Sequence, residues 1–344
     1  MDLAKATVWE PPDEWVRLTV VDSHTGGEPF RVVVEGLPEI PGDTVLERRR
    51  HAMENLDDLR RALMWEPRGH ADMYGGWVGH PVADGSDMSV LFTHNEGFST
   101  MCGHGIIALA KVVIDTGIVP AEIGERHLAI DTPAGTISST SSVTHQGVSA
   151  TTFRNVPSFA LVIDGEVQVP GFGLVRYDLG FGGAFYAIVD ASSVGLNLDD
   201  ASTLIRAGRE IKGAVSSAVD IAHPEHDDLG FLYGVIFTGS PLDPASHSRN
   251  VCVFADGEVD RSPTGTGVST RLALLHARGE IDVGEAVVIE SIVGSRFAGR
   301  IAATTTSGPH PAIIPEVTGS AHIVGRTEVW IDPSDPLPPF LIRS

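Results

Sequence analysis

The sequence predicts an α+β chain of two similar halves, each a mostly antiparallel sheet wrapped around one central helix. Two observations predict it. The first is internal repetition: Val20–Val34 and Arg176–Val189 share an Asp, a Gly-Gly pair, an aromatic and a β-branched run, the pattern of strand, glycine turn, strand. Met101-Cys102-Gly103-His104-Gly105 is likewise answered by Pro263-Thr264-Gly265-Thr266-Gly267, and Ile130–Gly135 by Ile289–Gly294, at an offset of about 160 residues. The second is a buried-helix pattern after each glycine motif. Ile106, Ile107, Leu109, Ala110, Val113 and Ile114 lead to Gly117, while Leu272, Leu274 and Leu275 lead to Gly279, and both glycines suit a helix C′ position.

The halves divide near Pro170-Gly171-Phe172-Gly173, giving units 1–171 and 172–344, with the last residues free to pack back on the first half. At 344 residues two domains are the default. The net charge of −21 repels nucleic acid. The basic run Arg48-Arg49-Arg50 lies in a segment of helical composition and reads as a solvated helix face. No stretch of eighteen apolar residues exists and the N-terminus lacks an apolar leader, so a cytoplasmic protein without membrane contact is expected. Two cysteines are too few for a disulfide framework and argue against structural zinc.

Both helices start in a glycine-rich turn, and a helix start exposes unpaired N–H groups and a positive dipole end. Two such ends facing one cleft make an anion clamp. Neither loop carries the lysine of a phosphate loop, so a carboxylate fits better. Residues 103–108 spell G-x-G-x-x-A, but no acidic ribose ligand follows. Cys102 precedes its helix beside His104, where the dipole and imidazole would lower the thiol pKa and make a thiolate base. Cys252, in a strand-like run, reads as core. A Cys–His hydrolase would need a third group to orient the base, and the repeat supplies none. Asp260 either binds a substrate ammonium or caps its turn, and Arg261 pins the loop. His223–Asp228 reads as a polar loop, His70 and Asp72 as groups behind the site. Lys5, Lys111 and Lys212 lie in no motif that suggests a Schiff base.

These motifs resemble the proline racemase family, which also holds hydroxyproline epimerases and trans-3-hydroxy-L-proline dehydratases. The resemblance covers nearly the whole chain, from Asp22-Ser23-His24-Thr25-Gly26-Gly27-Glu28-Pro29, through Arg68–Gly75 and the Cys102 loop, to Asp260–Gly267. It implies two pseudo-symmetric diaminopimelate-epimerase-like domains with the active site in the cleft between them, no cofactor and no metal. It further implies a small imino-acid substrate whose carboxylate rests on the backbone of Gly103, His104, Gly265 and Thr266. Asp260 and the His104 side chain would take the ring nitrogen, with Tyr74 and Phe254 as walls, and a homodimer is expected by analogy.

One departure bears on the reaction. Racemases and epimerases of the family carry a cysteine in each loop, whereas position 264 is threonine. A hydroxyl does not ionise near neutral pH, so the second face lacks a proton relay. Cys102 with Thr264 is the pairing of the dehydratase branch. The expectation is loss of water from trans-3-hydroxy-L-proline, giving Δ1-pyrroline-2-carboxylate. The alternatives are 4-hydroxyproline epimerase, proline racemase, and a catalytically silent imino-acid binder.

Overall fold

The computed structural model describes residues 1–342; residues 343 and 344, the end of the expected second half, lie outside the described residues. The first half runs α1 (Ala4–Thr7), β1 (Val16–Thr25), β2 (Glu28–Glu35), α2 (Val45–Asn55), α3 (Asp57–Met64), β3 (Tyr74–Gly79), β4 (Met88–His94), β5 (Phe98–Ser99), α4 (Gly103–Asp115), β6 (Gly124–Thr132), β7 (Gly135–Thr144), β8 (Gly147–Arg154) and β9 (Ser158–Val169). The second runs β10 (Gly173–Phe181), β11 (Phe185–Asp190), α5 (Ala201–Ala218), β12 (Leu232–Gly239), β13 (Ser248–Phe254), β14 (Glu258–Val259), α6 (Gly265–Ala277), β15 (Ala286–Glu290), β16 (Arg296–Ser307), β17 (His310–Gly319) and β18 (Ala321–Ile331).

The ladders repeat as well. β2 runs parallel to β3 as β11 does to β12, and β4 parallel to β6 as β13 does to β15. The other ladders between these strands are antiparallel. The halves also exchange a strand: β9 pairs with β10 of the second half, and β18 returns to pair with β1. With β8 on β17 as well, the two sheets form one continuous hydrogen-bonded surface. We propose that the chain divides into the units 1–171 and 172–344, with β9 and β18 as the exchanged strands.

Helix α4 is apolar except at His104, Lys111 and Asp115 and is buried along most of its length, as such a helix must be. Helix α6 carries polar residues into the same depth by satisfying them locally. Ser269 donates to the Gly265 carbonyl, Thr270 to that of Thr266, and Arg271 to Asn250 and Ser248. Both helices end at left-handed glycines, Gly117 (φ 77°) and Gly279 (φ 72°). The outer faces are covered by α2 and α3 on the first half and by amphipathic α5, through Leu204, Ala207, Ile211 and Val215, on the second.

The arginine run is not a solvated face. Arg49 is buried and donates from Nε and Nη2 to the Phe98 carbonyl, Arg48 donates to the His80 carbonyl, and only Arg50 is exposed, paired with Asp228. Consecutive helix residues point about 100° apart, so three in a row cannot share one face. Among the described residues no helix is long and apolar enough to cross a membrane.

Candidate active site

The two glycine turns meet at the centre of the molecule. A β-carbon on Gly103 would lie 2.6 Å from Gly265 Cα, and one on Gly265 would lie 2.7 Å from Gly103 Cα. Glycine is therefore required for the helix starts to touch each other before any ligand is considered. The second glycines do a related job: a β-carbon on Gly105 would strike Phe30 and Cys102 Sγ, and one on Gly267 would strike Ile236.

The contact aims both helix N-termini at one tight cleft of about 20 Å³. It brings together Cys102, Gly103, His104, Asp260, Thr264, Gly265, Thr266, Tyr74 and Phe254, every site residue expected from the sequence. A larger groove of about 740 Å³ lies around Leu37, Trp77 and Ile118, away from both helix starts and from either cysteine.

Cys102 is the N-cap of α4. Its backbone is extended (φ −144°, ψ 104°), and Sγ accepts from the Gly105 amide at 3.2 Å and lies 3.3 Å from His104 Nδ1. The amides of Gly103 and His104 precede the first intrahelical bond and stay available to an anion, as do those of Gly265 and Thr266 in α6. Thr264 occupies the matching place on α6 with φ 66°, ψ 98° and makes no capping bond. Its Oγ1 is buried with no nitrogen or oxygen partner among the described residues, and the Cys252 thiol packs beside it.

Asp260 is 4% exposed and accepts from the Ser262 amide at 2.7 Å. It makes no ion pair among the described residues. A carboxylate so placed is costly without a cation, which a protonated ring nitrogen would supply. First-half residues hold this loop from outside: Glu28 accepts from the Arg261 amide at 2.7 Å, and Asp72 pairs with the Arg261 guanidinium at 2.9 Å. Asp72 thus stands behind the site. His70 does not: it is exposed, with Nδ1 2.7 Å from the Ala71 carbonyl. Of the tempting His223–Asp228 loop, His223 packs on Phe181 and Asp228 pairs with Arg50.

The sequence suggested a thiolate at rest, and the structure corrects this. Burial pushes the Cys102 thiol well above its ordinary value; the Gly105 amide pulls the other way, and Asp260 and Glu28 add to the rise. Burial also lowers His104, so its imidazole is neutral at rest and available as an acceptor, while its other nitrogen is held by the Pro29 carbonyl. Glu28, buried beside Asp260, is likewise pushed well up toward its neutral form. The site therefore rests as thiol and neutral imidazole beside the Asp260 carboxyl group.

Three wall residues escaped sequence reasoning: Met101, Tyr186 and Tyr233. Tyr186 carried a usable signal, since the repeat aligns it with Phe30, whose ring meets His104 at 5.8 Å. Tyr233 carried none, because its place depends on the register of β12.

Residues 20–339 match the family model described as proline racemase. The chain belongs to the proline racemase family. Within the family it is 46% identical to a trans-3-hydroxy-L-proline dehydratase of Azospirillum brasilense, over 95% of this chain and 98% of that one. It is equally 46% identical, with the same coverage, to a 3-hydroxyproline 2-epimerase of Burkholderia multivorans. Its structure is similar to that of a hydroxyproline epimerase from Agrobacterium vitis with bound trans-4-hydroxy-L-proline, with a TM-score of 0.90, 29% identity, and 95% of this chain and 96% of that one covered.

Proposed function

We propose that this member of the proline racemase family is a trans-3-hydroxy-L-proline dehydratase. The observation that carries the reading is the one-sided thiol: Cys102 caps α4 at the cleft, while the matching position on α6 is Thr264. The substrate carboxylate rests on the Gly103, His104, Gly265 and Thr266 amides, and its ring nitrogen pairs with Asp260 and His104. That cation offsets Asp260, one of the groups that hold the thiol protonated. Cys102 then loses its proton to solvent and takes the α-hydrogen as thiolate.

In trans-3-hydroxy-L-proline the hydroxyl lies opposite the carboxylate across the ring and hence on the face of the α-hydrogen. Both departing groups therefore leave from the Cys102 side. The helix-start amides stabilise the charge that spreads into the carboxylate, and the enamine product tautomerises to Δ1-pyrroline-2-carboxylate. Tyr74 and Phe254 wall the ring. We further propose a cytoplasmic homodimer, which sedimentation of the purified protein tests.

The deciding experiment incubates purified protein with each stereoisomer of proline, 3-hydroxyproline and 4-hydroxyproline, following pyrroline formation and optical rotation. Pyrroline from trans-3-hydroxy-L-proline alone is expected. Inverted hydroxyproline without pyrroline would establish the epimerase reading, which the Burkholderia multivorans relative favours. Binding with no chemistry, unaffected by thiol alkylation, would establish a silent binder.

A further inference from the structure

Loss of the 3-hydroxyl as water requires the proton taken from Cα to reach the departing oxygen. Hydroxide is a poor leaving group, and the departing oxygen needs an acid on the face where Cys102 works. Tyr74 stands there. Its ring is 3% exposed and held between His94, stacked at 5.5 Å, and His104, edge-on at 4.9 Å. It lines the same cleft as Cys102, and the His104 ring it meets lies 3.3 Å from the thiol. Its hydroxyl is hydrogen-bonded to Ser99 Oγ and lies 3.2 Å from the Tyr233 hydroxyl, so Tyr74 is the middle of a buried chain of three hydroxyls beside the cleft.

The other half has no such group in the equivalent place. Tyr74 faces His94 in the β3–β4 ladder, and the corresponding pair in β12–β13 is Gly234 with Phe254. Of the second half's phenols at the cleft, Tyr186 is engaged by Thr266 Oγ1 at 2.8 Å and Tyr233 by the Tyr74 hydroxyl itself at 3.2 Å. The asymmetry of the thiols is thus matched by an asymmetry of the phenols.

We propose that Tyr74 donates the proton that converts the departing 3-hydroxyl to water, with Ser99 and Tyr233 holding its hydroxyl in place. The proposal rests on the dehydratase reading. Cys102 thiolate forms S–H with the α-hydrogen, and the C–H electron pair becomes the Cα–Cβ double bond. The C3–O bond breaks with its pair on oxygen, and that oxygen takes the phenolic proton and leaves as water. The phenolate regains a proton from the Cys102 thiol across the cleft, restoring thiolate and phenol. Burial holds the Tyr74 phenol well above its ordinary pKa, so it waits in the donor form.

The test runs Tyr74→Phe and wild type on trans-3-hydroxy-L-proline in deuterated water, measuring pyrroline formed and α-deuterium in recovered substrate. Without its acid the carbanion should return to substrate: pyrroline formation falls about 10²-fold while the ratio of deuterium wash-in to pyrroline rises by a similar factor. Unchanged elimination would overturn the proposal, as would slow elimination with no rise in that ratio, which would make Tyr74 a support for Cys102. Ser99→Ala, which keeps the phenol, should shift the ratio in the same direction by about tenfold, and serves if Tyr74→Phe does not fold. Absence of pyrroline from wild type would instead sink the dehydratase reading itself.

Discussion

The starts of α4 and α6 are the same backbone solution carrying different chemistry. Both open with glycines that let the helices touch, both aim amides into one cleft, and both lie at the end of a short strand-and-turn segment. They part at the cap. Cys102 accepts a bond from the Gly105 amide in an ordinary extended conformation, whereas Thr264 sits at φ 66° with its hydroxyl uncapped. Threonine is ordinarily a good helix cap, and a β-branched residue at positive φ costs about 1–3 kcal/mol. The second loop therefore gives up local stability at one residue, which marks a position shaped by the ligand's needs. The lesson is that duplication preserved the clamp for the carboxylate and left the two faces free to differ in acid–base chemistry.

The harshest way to break this comparison is to remove the sulfur. Cys102→Ala should lower pyrroline formation by about 10³-fold or more and abolish α-deuterium wash-in, while binding of the planar mimic pyrrole-2-carboxylate, read by calorimetry, survives on the amides. Retained turnover would place the base elsewhere. Restoring symmetry is the next test. Thr264→Cys should gain inversion at Cα, seen as D-configured product carrying solvent deuterium; unchanged stereochemistry would mean that residue 264 does not face the reacting carbon.

The titration of Cys102 sharpens the picture further. The active form is the thiolate and burial raises the thiol, so kcat/KM, which reports free enzyme, should climb with pH by about tenfold per unit below that raised value. Substrate binding brings a cation beside Asp260, so the limb in kcat should lie at lower pH than the limb in kcat/KM. Coincident limbs would argue against substrate-assisted ionisation. The smallest effect is expected outside the cleft. Glu28 has a raised carboxyl pKa in the fold, so the stability it contributes is present at acid pH and lost as pH rises toward that raised value. Glu28→Gln should melt with wild type near pH 4 and about 2 °C or more above it at alkaline pH, by calorimetry. A lower melting point there would show that Glu28 works as an ionised partner.

Much of the site was legible because its residues lie in contiguous motifs. Cys102, Gly103 and His104 share one turn, and Asp260 through Thr266 share the other, so finding the turns found the residues. Tyr74 lay inside a third motif, though its role at the thiol did not. Ser99 and Tyr233 reach the site from separate strands, and no local pattern says which side chains a sheet will bring across a cleft. Arg49 failed for a related reason: composition suggested a charged face, while helix geometry turned the middle residue of the run inward to the Phe98 carbonyl.

The amino-acid sequence alone determined the duplicated α+β plan, the paired glycine-led helices, the family and the sulfur on one loop only. These are properties of short-range pattern and residue type. Tertiary structure decided the rest: the reciprocal placing of β9 and β18, the contact of Gly103 with Gly265, the thiol held neutral at rest, and the phenol beside it. Each depends on distance and burial between segments far apart in the chain, since pKa and close approach follow from what surrounds a group, and only the folded molecule sets those surroundings.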